Sequence, residues 1–137
     1  MTERGSVTIW MLGFTILVLF LGGIGIDMFR GFTQRQELAG MADSAAIAAA
    51  TAVDVAYFRS TGEVRLDPDL AEDRAWTLLL SAAGFDDSVS ATVVASPNEV
   101  RVNLETEVDL TLLRLLYGGE PLVVHVQAHS LPVEVSR

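Results

Sequence analysis

The stretch VTIWMLGFTILVLFLGGIGI, residues 7–26, contains no charged side chain and decides how the rest of the chain is organised. As a helix it would rise by about 30 Å, which matches the hydrocarbon core of a bilayer. It is longer than the apolar part of a secretory signal, and no Ala-x-Ala-like cleavage site follows it. A buried helix of a soluble domain is disfavoured, because 137 residues offer too little protein to surround it. We therefore predict a retained transmembrane helix in contact with membrane lipid.

Composition excludes several classes of protein. The chain has 18 acidic and 9 basic residues, a formal net charge of −9, and an acidic surface repels nucleic-acid phosphates. Cysteine is absent, which excludes disulfides, thiolate nucleophiles and Cys-based metal sites. The sequence also lacks a serine nucleophile elbow, a phosphate-binding glycine loop and an HExxH motif. We expect no catalytic residues, no cofactor, no nucleic-acid partner and no small-molecule substrate.

Helix-favouring residues continue after the apolar stretch, without proline, as far as Arg59. We predict a short N-terminal segment over 1–6, the transmembrane helix over 7–26, and a helical extension over 27–59. Apolar side chains recur at helical spacing along this extension and form a stripe, namely Phe29, Phe32, Leu38, Met41, Ala45 and Ala48. Either the chain's own C-terminal domain or a neighbouring helix of an assembly is expected to cover this stripe.

Asp27 is the charge whose position most needs a physical reason. A carboxylate at the end of an apolar span is costly unless it reaches headgroups or a cation. Arg30 lies three residues further on, on the same helix face. Two interpretations remain open here, an internal Asp27–Arg30 ion pair and a contact between subunits.

Residues 60–137 are predicted to form a small α+β domain. Asp67 and Pro68 are typical of a helix start, and Gly84 is the predicted C-cap of that second helix. Alternating apolar and polar residues then predict strands over 88–95, 99–110 and 121–135, with a turn at Ser96-Pro97-Asn98. In the last strand Val124, Val126 and Ala128 are expected to face inward. Residues 110–119 are either a short helix or an extended loop. The expected fold class is α+β, with one long N-terminal helix, a short helix and a three-stranded antiparallel sheet packed on the helices.

Two groups of polar residues have side chains of the kind that bind metal ions, but their positions favour structural roles. His125 and His129 share a strand face, yet four residues of strand separate them by about 13 Å, too far to bind one ion. The acidic residues of the second helix could suggest a calcium site, namely Asp67, Asp69, Glu72 and Asp73. Capping and first-turn charges account for them with fewer assumptions. We expect no metal site.

The N-terminal region resembles a known family. The segments that carry the resemblance are RGSVTIWMLG (4–13), GIDMFR (25–30) and LAGMADSAAIAAA (38–50). They are similar to TadE/TadG-like proteins, the minor-pilin or pseudopilin-like components of tight-adherence (Tad, Flp) pilus assembly. The pattern of a glycine, a membrane helix, Asp-x-x-Arg and an Ala-Asp-x-Ala-Ala block is closest to the TadG type. The similarity covers roughly the first 55 residues.

The resemblance implies a single-pass protein of the cell membrane, with a cytoplasmic N-terminus and an extracytoplasmic C-terminal domain on a pilin-like helix. The basic residues by themselves favour the opposite orientation, because Arg4 precedes the span while Arg30 and Arg35 follow it. The resemblance also implies other pilin-like or Tad assembly subunits as partners, and a role in pilus biogenesis or adhesion. From their positions on the helix, Asp27, Arg30 and the stripe residues are the candidates for helix-packing contacts.

The resemblance marks Gly5 and Ser6 as a candidate processing site. Processed relatives carry a glutamate five residues after the glycine, whereas this chain has Trp10 there. An unprocessed, TadG-like accessory subunit is therefore favoured. Our prediction is a membrane-anchored structural or assembly component of a Tad/Flp-type pilus or related secretion system. The alternative is a membrane-anchored module that binds a ligand or partner unrelated to pili.

Overall fold

The computed structural model describes residues 4–116 and 118–132. Its elements in chain order are α1 (Arg4–Ala50), α2 (Val55–Thr61), α3 (Pro68–Ser81), β1 (Val89–Ala95), β2 (Val100–Val108), α4 (Leu112–Leu116) and β3 (Leu122–Ser130). The strands form one antiparallel sheet in the order β1-β2-β3. The predicted α+β class is confirmed.

The chain divides into two compact units. The first comprises Met1–Gln34 and Val108–Leu122, and the second comprises Arg35–Glu107 and Val123–Arg137. Helix α1 runs from the apolar stretch into the alanine-rich block without interruption. The apolar stretch and the long helix that continues it were both expected from the absence of proline and the helix-favouring composition.

Helix α1 ends at Ala50, nine residues before the predicted end at Arg59. At this end the backbone N–H groups donate to the carbonyl three residues earlier instead of four, as Ala52 N–H does to Ala49 O at 3.0 Å. The Thr51 hydroxyl also donates to Ala48 O, at 2.6 Å. Val53 then pairs with Leu66 as an isolated antiparallel bridge. β-Branched residues, which have low helix propensity, flank the end of α1. The bridge is therefore favoured over a further turn of helix.

Asp54 starts the separate helix α2. Its Oδ1 accepts the Tyr57 amide at 2.9 Å, and its Oδ2 accepts Arg65 Nε at 3.0 Å and Nη2 at 2.7 Å. The Arg65 guanidinium also lies 3.7 Å from the centre of the Tyr57 ring. Gly62, with φ 78°, ends α2 in the left-handed region. This cluster fixes the connection between α1 and α3.

Helix α3 begins as the sequence indicates, with Asp67 as N-cap and Pro68 in the first turn. It ends at Ser81 with Ala82 as C-cap, two residues before the predicted cap, Gly84. Ala71, Ala75 and Leu79 form its buried face. The helix packs on β1, and the Glu72 carboxylate accepts the Ala95 amide at 3.1 Å.

Strands β1 and β2 pair in the register that places Val93 opposite Val102 and Ala91 opposite Leu104. The turn at Ser96 is closed by its amide, which donates to Glu99 O at 2.8 Å. Strand β2 alternates between buried and more exposed residues over its whole length. In β3, Val124 and Ala128 are buried as expected, and Val126 is half-buried. The strand ends at Ser130, before the predicted end at residue 135, and residues 133–135 lie outside the described residues.

The core of the second unit consists of small and branched apolar side chains. The buried residues are Leu38, Ala42, Ala45, Ala46, Ala49, Ala50, Ala52, Leu66, Ala71, Ala75, Leu79, Val100, Val102, Leu104, Val124 and Ala128. Those from α1 recur every three or four residues and occupy one helix face. Alanine buries little area per residue, so the larger side chains of β2 contribute disproportionately to stability.

Replacing Leu104, whose side chain is fully buried, by alanine should destabilise the second unit by about 2–5 kcal/mol, because a cavity remains in the core. Denaturant unfolding in detergent, followed by Trp76 fluorescence in a Trp10→Phe background, measures the change. Val94→Ala is the matched control on the same sheet, since Val94 is 54% exposed, and it should change stability by less than about 0.5 kcal/mol. Equal effects of the two substitutions would contradict this assignment of the core.

Acid should remove the stabilising contribution of Asp54. Hydrogen bonds from the Tyr57 amide and from Arg65 hold the pKa of Asp54 below its ordinary value, against partial burial, which raises it. This contribution is present above the unfolded-state pKa of ~3.9 and is lost as the pH falls through the lower folded-state pKa. Asp54→Ala should lower the melting temperature at about pH 7, and the difference should shrink below about pH 4. A difference that does not change with pH, measured by Trp76 fluorescence, would refute the prediction.

Candidate functional site

The first part of α1 exposes its apolar side chains on all sides. Trp10 is 77% exposed, Phe14 67% and Leu19 70%. Shallow apolar grooves run along this helix beside Trp10 and Phe14. The helix is long and apolar enough to cross a membrane, and none of its most apolar window is buried by the rest of the chain. A surface of this kind requires lipid or other apolar helices around it.

At the end of this surface, Asp27 is only 2% exposed. Its Oδ2 accepts three backbone N–H groups, from Thr111 at 3.0 Å, Leu112 at 2.6 Å and Leu113 at 3.0 Å. We call Asp27 and these three amides the Asp27 junction. All four residues belong to the first unit. The junction therefore closes a contact between parts of the chain more than 80 residues apart.

The junction resolves two problems of hydrogen bonding at once. The first N–H groups of a helix have no partner within that helix, and α4 begins at Leu112. A buried carboxylate needs donors, and charge-assisted bonds to backbone amides are among the stronger hydrogen bonds. Asp27 thus acts as the cap of α4 although it lies on another helix.

Arg30 does not take the role that the sequence suggested. Its side chain is exposed, and in the described ranges 4–116 and 118–132 no ion pair joins it to Asp27. The Asp27 carboxylate is instead occupied by amides of its own chain. This arrangement corresponds to neither of the two interpretations that the sequence left open.

Glycines on the same face of α1 allow the close approach. Gly23, Asp27 and Gly31 follow each other at intervals of four residues and so lie on one face. A Cβ at Gly23 would overlap the end of the Leu112 side chain and come within 3.3 Å of its Cγ. A Cβ at Gly31 would lie 4.0 Å from Leu122 Cδ2, an ordinary contact. Gly23 is therefore the position where a larger residue would displace α4.

The connection that contains α4 is also closed at its other end. Arg114 Nε donates to Gly119 O at 3.0 Å, and the Gly119 amide donates to Arg114 O at 2.9 Å. Gly118 and Gly119 have φ angles of 79° and 95°, in the region that favours glycine. Asp109 Oδ1 lies 3.8 Å from Arg114 Nη1. These contacts join α4 to Asp109 before it and to Gly119 after it.

The other residues predicted at helix contacts divide into two groups. Phe29 and Phe32 are 70% and 67% exposed, whereas Leu38 and Ala45 are buried in the core of the second unit. Met41 and Ala48 are half-buried. Gly5 and Ser6, the candidate processing site, lie in the first turn of α1.

Two of the remaining polar candidates, His125 and Asp67, have local partners. His125 Nδ1 lies 2.9 Å from Glu105 Oε1, and both side chains are more than half exposed. Asp67 caps α3 by accepting the Leu70 amide at 3.3 Å. Within the part of the chain that the structure describes, no three His, Asp or Glu side chains gather into a metal-binding group.

The fold and the junction define a class of protein, in which a long apolar N-terminal helix carries a small α+β unit. Residues 5–52 match the model of the Tad family, which describes Flp pilus-assembly TadE/G-like proteins. The matched part of the chain, which is similar to this family, contains both the apolar stretch and Asp27. No curated protein is similar enough to count as a match. No solved structure matches the chain either.

Sequence reasoning identified Asp27 but missed its partners. The donors are backbone amides, which leave no trace in residue identity, and they lie outside the matched residues 5–52. Two signals were available in principle. Residues 110–116, LTLLRLL, are too apolar for an ordinary surface loop, and a glycine lies one helical turn before Asp27.

Removing the carboxylate should release the start of α4. With Asp27→Leu, the amides of Thr111, Leu112 and Leu113 lose their acceptor, and their hydrogen exchange should accelerate by about fivefold or more. Asp27→Asn keeps one acceptor oxygen without the charge and should give an intermediate rate. Exchange of the peptide that covers residues 109–116, measured by mass spectrometry in detergent, reports the change.

Asp43→Leu is the matched control, because Asp43 lies on the same helix but is exposed. It should leave exchange in residues 109–116 unchanged. Unchanged exchange in Asp27→Leu would show that the junction does not hold α4.

Proposed function

We propose that this protein is a minor-pilin-like subunit of a Tad/Flp-type pilus or related secretion system, anchored in the cell membrane by α1. The observation that carries the proposal is the coincidence of the matched segment, residues 5–52, with the exposed apolar helix. A component that assembles with other membrane helices needs such an uncovered helix.

The proposed topology places the N-terminus in the cytoplasm and residues 60–137 outside. It is supported by the likeness of the N-terminal region to the family. It is opposite to the orientation that the small excess of arginines after the span would favour. We further propose that the chain is not cut after Gly5, since Trp10 occupies the position where processed relatives carry glutamate. The protein then stays in the membrane as a TadG-like accessory subunit.

The exposure pattern restricts where another subunit could pack against α1. Leu38 and Ala45 are already covered by their own chain, so they are unavailable in the folded protein. Phe29 and Phe32 lie just beyond the apolar stretch and are mostly exposed. Large exposed aromatic side chains commonly mark protein or membrane contacts. We propose that lateral packing uses Phe29 and Phe32, with Met41 and Ala48 at its margin.

The proposed role is structural and requires neither catalysis nor a cofactor. It is supported by the match of residues 5–52 to a model that describes pilus-assembly proteins. Of the polar side chains that we considered for chemistry, Asp67 caps α3 and His125 pairs with Glu105. The competing proposal, a binding module unrelated to pili, would place the contact surface on the exposed side of the sheet instead of on α1.

Site-specific crosslinking separates these two proposals. A photoreactive residue at Phe29 or Phe32, in the full chain in its native membrane, should yield adducts with the helices of other pilin-like subunits. The same residue at Ala45 should yield about tenfold fewer intermolecular adducts, because Ala45 is buried. Mass spectrometry of the adducts identifies the partner.

Val94, exposed on β1, is the matched position on the sheet. Adducts with pilin-like helices at Phe29 and Phe32 but not at Val94 support the assembly role. Partner adducts at Val94 alone would favour the binding module and contradict the assembly surface.

A further inference from the structure

We propose that residues 110–116 and 118–122, which include α4, lie in the membrane interface and contact lipid at the boundary between headgroups and acyl chains. We call these residues the α4 segment. This inference rests on the proposed insertion of α1 into the membrane, and it adds a second lipid contact to the anchor. The partner is a lipid surface rather than a protein, for four reasons that concern depth, length, polarity and exposure.

The first reason is the depth at which the segment contacts α1. The Leu112 side chain lies against Gly23, which precedes the end of the charge-free stretch at Ile26 by three residues. At about 1.5 Å per residue, Gly23 lies roughly 5 Å inside that end. If the stretch spans the bilayer, the start of α4 is held at the edge of the hydrocarbon layer.

The second reason is the length of the connection. Strands β2 and β3 are antiparallel neighbours in the sheet, and a hairpin between such strands needs only about two to five residues. Here the connection runs from Asp109 to Pro121. The additional residues reach the last turn of the apolar stretch and form a helix there, which a simple turn would not require.

The third reason is that the segment's backbone suits an environment poor in water. Unpaired N–H groups are costly near hydrocarbon, where water cannot satisfy them. Asp27 accepts the amides of Thr111, Leu112 and Leu113, and the Asp27 side chain is itself buried. On a surface loop in water, solvent would satisfy these groups and no buried carboxylate would be needed.

The fourth reason is the exposed surface around the junction. Leu122 is 47% exposed, and on α1 Ile26 and Met28 are 58% and 65% exposed. Arg114 of α4 is half-exposed, and the aliphatic part of a long arginine side chain can lie along lipid while its charge reaches phosphate. Apolar residues with an arginine at the margin are typical of interfacial segments. The contact of the α4 segment with the end of the membrane span, through the Asp27 junction and Leu112, selects lipid as the occupant.

Because the natural chain has no cysteine, single substitutions can be labelled cleanly with an environment-sensitive fluorophore. The test positions are Leu113→Cys and Leu122→Cys in the full chain, reconstituted in vesicles of phosphatidylethanolamine and phosphatidylglycerol. Leu17→Cys provides the reference within the span, and Val94→Cys provides the reference on the sheet. Nitroxide groups near the lipid headgroups probe shallow depth, nitroxides near the acyl-chain ends probe the bilayer centre, and iodide probes water.

Labels at Leu113 and Leu122 should be quenched by shallow nitroxides at least about twice as strongly as the label at Val94. Adding Asp27→Leu to Leu113→Cys should reduce this lipid quenching and increase quenching by iodide, since the junction that holds α4 at this depth is lost. Asp43→Leu should change neither value.

If Leu17 responds to deep nitroxides while Leu113 and Leu122 respond only to iodide, the inference about the α4 segment is wrong and the membrane anchor stands. Labels at Leu113 and Leu122 that are shielded from both quenchers would also overturn it, since protein would then cover the segment. A Leu17 label that no lipid nitroxide quenches would overturn the anchor and the inference together.

Discussion

The first unit depends on one hydrogen-bonded carboxylate. Asp27 ends the apolar surface of α1, and its buried oxygen accepts the three amides that start α4. A buried carboxylate without donors would cost free energy here, and so would three amides without an acceptor. The hydrogen bonds between them remove both costs. The contact also accounts for the glycine at position 23, because the Leu112 side chain occupies the space that a Cβ would fill.

Helix α1 meets different requirements along its length. Its first part needs apolar side chains on every face, since little of it is covered by the chain. Its last part is covered on one face only, and alanines there form part of the core of the second unit. The matched family segment includes both parts and ends at residue 52, where the helix gives way to the Val53–Leu66 bridge. The boundary of the family domain thus coincides with a boundary in the structure.

The spacing of apolar residues along the sequence predicted most of the helices and strands, because it reflects which face of each element is buried. The alternation in β2, the Asp67-Pro68 helix start and the turn at Ser96 follow from local rules. The end of α1 did not, since the absence of proline favoured continuation as far as Arg59, whereas β-branched residues and a non-local bridge to Leu66 end the helix at Ala50. The stripe on α1 was predicted as one surface, and the structure divides it into exposed Phe29 and Phe32 and buried Leu38 and Ala45.

By itself, the sequence determined that an uncharged helix of membrane-spanning length precedes a small α+β unit, because length, charge and periodicity are local properties. It also showed that Asp27 requires a partner, since a carboxylate beside apolar residues is costly wherever the chain goes. Only the tertiary structure decided which partner that is. The amides of residues 111–113 are identical in kind to every other amide of the chain, and only folding places them beside Asp27.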